Sequence, residues 1–159
     1  MRVILPLVLM LAACSSQSQQ TTAASQPSPS AATHPVSGLA VIPLTVSQNG
    51  KVHRFMVEVA GTNEQQARGL MFRTGMGPDE GMIFPHSPPR GASFWMKNTV
   101  IPLDIIFIGV DGRISNISAD AEPYSLEPRS SQGLTTAVLE LNGGRAAELG
   151  IVPGARVEW

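Results

Sequence analysis

The chain has 159 residues, a formal net charge of −1 at pH 7 and a single cysteine. Near-neutral charge without a basic cluster lacks the electrostatic footprint of a nucleic-acid binder and offers no polybasic patch to an anionic membrane surface. A lone cysteine excludes an intramolecular disulfide, and no internal repeat points to a solenoid.

Met1-Arg2 precedes an apolar run from Val3 to Ala13, too short to span a bilayer and built like a secretory signal. The run ends in Leu11-Ala12-Ala13-Cys14, the lipobox pattern of bacterial lipoprotein signals. Residues 1–13 are therefore predicted to be a signal peptide and Cys14 the lipidation site. Small residues fit the peptidase cleft, and the thiol accepts the diacylglycerol group. Two or three acyl chains such as palmitate anchor firmly, where one alone is reversible. Ser15 stands where lipoproteins kept at the inner membrane often carry Asp, so the sorting rule points to the outer membrane, facing the periplasm. Residues 14–38 form the predicted tether. Between Ser15 and Gly38 there is no Asp, Glu, Lys or Arg, only a run rich in Ser, Gln, Thr, Ala and Pro. Such a run buries too little apolar surface to offset its ordering entropy and is expected to be disordered. It would hold the following domain roughly 25–30 Å from the lipid. His34 lies within it and is given no role.

Residues 39–159 are long enough for one domain with its own core. Ala40, Ile42, Leu44 and Val46 alternate along a first strand, which Pro43 marks as an edge. Asn49-Gly50 is a two-residue hairpin signal, and the return strand puts Phe55, Val57 and Val59 on one face and Arg54 and Glu58 on the other. Thr62 and Gln65 have the spacing of a capping box for a short helix with Ala67, Leu70 and Met71 on one side. Strands are predicted over Gly81–Phe84, Phe94–Thr99 and Leu103–Val110, the last apolar enough to be covered on both faces. Asp111-Gly112 turns the chain into Arg113–Ser118, and Thr136–Leu141 is a further strand. Asn142 is placed to cap a small helix that runs to Leu149 and stops at Gly150, and Arg156–Trp159 closes the chain as a strand. The pattern predicts a β-rich α+β domain: a compact barrel- or sandwich-like antiparallel or mixed sheet with one or two short peripheral helices.

Chemistry-bearing residues are densest from Gly69 to Asp104, in Gly69-Leu70-Met71-Phe72-Arg73, Glu80-Gly81-Met82-Ile83-Phe84, Phe94-Trp95-Met96-Lys97-Asn98-Thr99 and Ile101-Pro102-Leu103-Asp104. These segments, with Leu139-Glu140-Leu141 and the Gly150–Gly154 tail, closely resemble the prokaryotic family known as domain of unknown function 192, from Val57 onward. Pro85 departs from the pattern, standing where an apolar strand residue is more usual. The resemblance implies a domain boundary and a β-rich fold, and it brings no activity with it.

If Phe94–Thr99 is extended, Phe94, Met96 and Asn98 share one side and Trp95, Lys97 and Thr99 the other. An indole beside an ammonium offers a stacking plate and a charged donor to a sugar-like or anionic ligand, and Arg73 could add a bidentate donor. The same residues also suit bland roles: Trp95 as a cover, Lys97 paired with Glu80 or Asp104, Arg73 at a helix end. Candidate ligand-binding residues are thus Arg73, Trp95, Lys97 and Asn98. Glu80 and Asp104 are the candidate catalytic carboxylates, since paired acids at a suitable separation perform glycoside hydrolysis and other acid–base work. No nucleophile elbow or phosphate loop is present, and lipidation removes the only thiol. His53 and His86 are isolated in sequence. The methionines Met56, Met71, Met76, Met82 and Met96 could be soft Cu(I) ligands, but their irregular spacing suits core filling better. No metal or cofactor is predicted. Three readings follow: a non-catalytic domain binding a small molecule or glycan at the membrane, a hydrolase of an envelope saccharide or ester using Glu80 and Asp104, or a structural or assembly factor.

Overall fold

The computed structural model describes residues 32–159; the predicted signal peptide, Cys14 and most of the predicted tether lie outside the described residues. The strands are β1 (Val41–Gln48), β2 (Lys51–Val59), β3 (Glu80–Arg90), β4 (Ser93–Phe94), β5 (Leu103–Gly109), β6 (Ile114–Ala121), β7 (Arg129–Ser130), β8 (Thr135–Asn142) and β9 (Arg156–Glu158). Two short helices accompany them, α1 (Asn63–Arg68) and α2 (Arg145–Leu149). Seven strands form one mixed sheet in the order β6-β5-β8-β3-β2-β1-β9, and β4 and β7 pair separately. Only β2 and β3 run parallel, with α1 in the crossover between them. The domain is thus β-rich α+β, and its sheet curls without becoming a closed barrel. Its two ends meet at one bridge, Arg113 to Arg156, helped by Ile114 N–H donating to the Ala155 carbonyl at 2.9 Å.

Local chemistry explains the elements that the sequence predicts well. Asn49 and Gly50 both take positive φ, 50° and 77°, as the tight β1–β2 turn requires. Thr62 and Gln65 exchange both bonds of the capping box at the start of α1. Pro43 lies on β1 beyond the reach of β9, which pairs only with Thr45–Ser47, so its missing N–H falls on an unpaired stretch.

Alternation along the central strands divides the apolar residues between two cores. Leu44, Val46, Phe55, Val57, Ile83, Ile106 and Leu139 fill the inside of the curl. Met82, Phe84, Leu103, Ile105, Phe107 and Val138 point the other way and are covered by Leu70, Ala92 and Met96. Every residue of β5 is buried, as a strand covered on both faces must be.

Three expectations are corrected. The first concerns Phe94–Thr99, which is not a strand beyond Phe94. Met96 N–H donates to the Ser125 carbonyl, Thr99 N–H turns back to Met96 at 3.0 Å, and Asn98 takes a φ of 56° that no strand accommodates. The second concerns α2, whose cap is Gly144 and not Asn142. Asp104, on β5, accepts Gly144 N–H at 3.0 Å and Ala146 N–H at 2.7 Å, and the Asn142 amide instead donates to the Gly77 carbonyl at 2.9 Å. The third concerns residues 32–38, the end of the predicted tether. Thr33 bridges to Ala40, Ser37 Oγ donates to Glu58, and the His34 ring lies beside the Arg73–Glu58 pair.

Asp104 is fully buried and also accepts Asp120 N–H at 2.8 Å, so one carboxylate joins β5, β6 and α2. Asp104→Ala orphans three amides at once and should cost at least about 3 kcal/mol in urea denaturation. Asp104→Asn, which keeps one acceptor oxygen, should lose less. A variant as stable as the parent would refute this role.

Candidate functional site

The predicted site residues separate in the fold. Arg73 is buried, and its Nη2 donates to both Glu58 oxygens at 2.8 and 3.0 Å, which makes it the partner of a buried carboxylate. Asp104 is consumed by backbone amides and has no exposure. Glu80 accepts Gly77 N–H at 2.7 Å and lines a separate depression with His34, Phe72 and Arg73. Glu80 and Asp104 share no hydrogen-bond partner, and both Asp104 oxygens are taken up by backbone N–H groups. Asn98 serves the backbone: its carbonyl accepts Phe72 N–H at 2.8 Å, and its amide approaches Met71 Sδ at 3.9 Å. Trp95 and Lys97 do come together, with Nζ 5.2 Å from the indole centroid and the ring half exposed. Among the methionines, Met82 and Met96 are core residues and Met56 is exposed on β2.

Trp95 borders a cavity of about 430 Å³ on the outer face of the sheet, between β3–β8 and the segment running from α1 to β4. Phe84 and Phe94 form its aromatic wall, edge to face with centroids 5.0 Å apart. Gly69 allows α1 to approach this wall, since a Cβ there would come within 3.3 Å of the Phe84 ring. Arg68 and Arg90 stand at the exposed margin, and Arg90 Nη2 donates to Gln66 Oε1 at 2.9 Å. Gln66 is itself fixed by donating to the carbonyls of Ala60 and Pro85, so the unusual Pro85 supplies an anchor through the one backbone group that proline keeps.

Two buried ionisable groups that the sequence reading passed over, Glu140 and His86, line the cavity. Glu140 sits on β8 between Met82 of β3 and Ile105 of β5, on the same face as Val138. Burial alone pushes its carboxyl up to about 8, and no side-chain hydrogen bond or ion pair offsets that burial among the described residues. It is thus a neutral acid, a hydrogen-bond donor, at pH 7. His86, 6% exposed, is held below the usual imidazole range, first by burial and then by the charge of Arg90, while a hydrogen bond that the ring donates to the backbone of Thr135 opposes both. On β3 it lies four residues beyond Met82, the partner of Glu140, so the two positions are roughly 13 Å apart along the strands with Phe84 between them. They are separate polar ends of one aromatic cavity and not a couple sharing a proton. The signal for Glu140 was present in the sequence, as an acid between Leu139 and Leu141 in an otherwise apolar strand. His86 carried none, because its burial depends on strand β3 continuing past Pro85.

The family model described as Uncharacterized ACR, domain of unknown function 192, matches residues 44–159. A crystal structure of a protein of unknown function from Novosphingobium aromaticivorans DSM 12444 is 57% identical, covering 82% of this chain and 93% of that one, with a TM-score of 0.80. A crystal structure described as a putative transcription regulator from Sinorhizobium meliloti 1021 is 40% identical, covering 76% of this chain and 94% of that one, with a TM-score of 0.73. No curated protein matches the chain.

Glu140 makes stability depend on pH in a defined direction. Between its ordinary value of 4.5 and about 8, the unfolded chain is ionised while the folded chain keeps the proton. Folding stability from this group is therefore complete below 4.5 and is lost as pH rises through about 8. Glu140→Gln, equal in shape and unable to ionise, should lose this decline and be more stable than the parent at pH 9. Parallel curves of stability against pH for the two proteins would show that Glu140 titrates normally.

Proposed function

The chain belongs to the domain of unknown function 192 family, and from that premise we propose that it is a small-ligand-binding or accessory domain tethered to the bacterial envelope. Its site is the cavity beneath Trp95. The observation that carries this reading is the Glu140 carboxyl, buried at a cavity wall without a compensating partner among the described residues. An uncompensated buried polar group is costly, and ionisable groups perturbed by burial cluster at functional sites. Aromatic walls with a few convergent polar groups are the usual build of a small-molecule site. Phe84, Phe94 and Trp95 offer faces to a sugar ring or a small apolar body, and Arg68 and Arg90 favour an anionic substituent.

The membrane enters through Cys14 and the lipobox it ends, which support a lipid anchor, and Ser15 favours the outer membrane with the domain facing the periplasm. The near-neutral net charge supports a reading without nucleic acid. A hydrolase built on Glu80 and Asp104 is disfavoured, since both oxygens of the buried Asp104 are held by backbone amides.

Thermal-shift titration of the whole chain with chitobiose, glucose and glucuronate is the direct test. At least one should stabilise the protein, and Trp95→Ala should weaken that binding by about tenfold while leaving the unliganded melting temperature nearly unchanged, because the ring is half exposed. Stabilisation that survives Trp95→Ala undiminished would place the ligand elsewhere. For the anchor, Cys14→Ser should move the protein from the membrane fraction to the soluble periplasm. Retention in the membrane would refute lipidation as the tether.

A further inference from the structure

Resting on the cavity reading above, we infer that the His86 end of the cavity recognises an anionic group with a hydroxyl or N–H beside it, Arg90 taking the anion and His86 Nε2 accepting the neighbouring hydrogen. The protein's own hydrogen bonds fix which ring nitrogen can do this. Thr135 Oγ1 lies 2.9 Å from the Arg90 carbonyl, which can only accept, so the single hydroxyl proton of Thr135 is directed there. The same Oγ1 is 2.8 Å from His86 Nδ1, and with its proton committed it can only accept from that nitrogen. His86 therefore carries its hydrogen on Nδ1, and Nε2 presents a lone pair.

That lone pair is buried and has no partner among the described residues, although His86 borders the cavity. A buried acceptor left unpaired is costly, and a ligand donor would recover that cost. Arg90 meets the complementary need. Its backbone carbonyl positions Thr135, and its guanidinium borders the same cavity and acts electrostatically on His86. Only one of its contacts, to Gln66, is made by a side chain, so other N–H groups of the fork remain for an anion. A cation beside a neutral imidazole acceptor fits a hydroxy acid or sugar acid. A simple fatty carboxylate leaves Nε2 unpaired, and a neutral sugar leaves Arg90 without an anion.

The test uses the whole chain with ¹⁵N-labelled histidine and three probes: glucuronate, which has both groups, hexanoate, which has only the carboxylate, and glucose, which has only the hydroxyls. Long-range ¹H–¹⁵N spectra should show His86 with its proton on Nδ1, and glucuronate should shift its Nε2 resonance. Glucuronate should bind at least about tenfold more tightly than either other probe, the equivalent of one charge-assisted hydrogen bond. His86→Phe should abolish that preference, and His86→Gln, which retains an acceptor, should restore part of it. An Nε2-protonated tautomer or an unmoved Nε2 signal overturns the inference on the unaltered protein, whatever the variants' stability. Trp95-dependent binding of glucose equal to that of glucuronate overturns it and leaves the cavity reading standing. Failure of every probe to bind in a Trp95-dependent way overturns both.

Discussion

Strands β5 and β8 lie inside the sheet with no face left to water, so whatever their side chains carry must be settled within the protein. Both faces are apolar almost throughout, and the inner face closes on itself as the sheet curls. The outer face needs a cover, which the chain supplies from residues 60–79 and 91–102. That cover is irregular because it contains a six-residue helix, turns and a two-residue strand. Irregular cover over a regular sheet leaves gaps, and the cavity beneath Trp95 is one of them. A second sheet in its place would have packed the outer face flush.

Two carboxylates on these buried strands illustrate opposite solutions to the same electrostatic problem. Asp104 is surrounded by three backbone N–H donors, so its charge is solvated by the protein and works as a clamp on α2 and β6. Glu140, in the next residue pair along the same pairing of β5 and β8, meets no such donors among the described residues, and burial keeps its proton on. The first is a structural group whose cost is already met. The second holds an unmet cost beside open space, which is where ligand chemistry has something to gain.

A buried ion pair, Arg73 with Glu58, plays a different part. It draws in Ser37 and His34, so part of a stretch that composition alone assigns to a spacer packs against the domain.

How much was legible follows the range of the interactions. The Asn49-Gly50 turn, the capping box at Thr62, the fully buried β5 and the β-rich class were readable because each depends on neighbours in sequence or on simple periodicity. Trp95 and Lys97 were also readable as a pair, since two residues of separation keep them adjacent even after the expected strand becomes a turn. Asp104 was legible as a buried acid but not as a helix cap, because the amides it holds lie about forty residues away. Glu80 and Arg73 looked like site residues for the same reason, their true partners being set by long-range packing. The alternation that builds the sheet and the local turns rest on neighbouring residues alone and were open to reading from the chain. Only the tertiary structure decided which charges were cancelled and which were left beside a cavity, because desolvation and pairing depend on what the fold brings together and not on spacing along the chain.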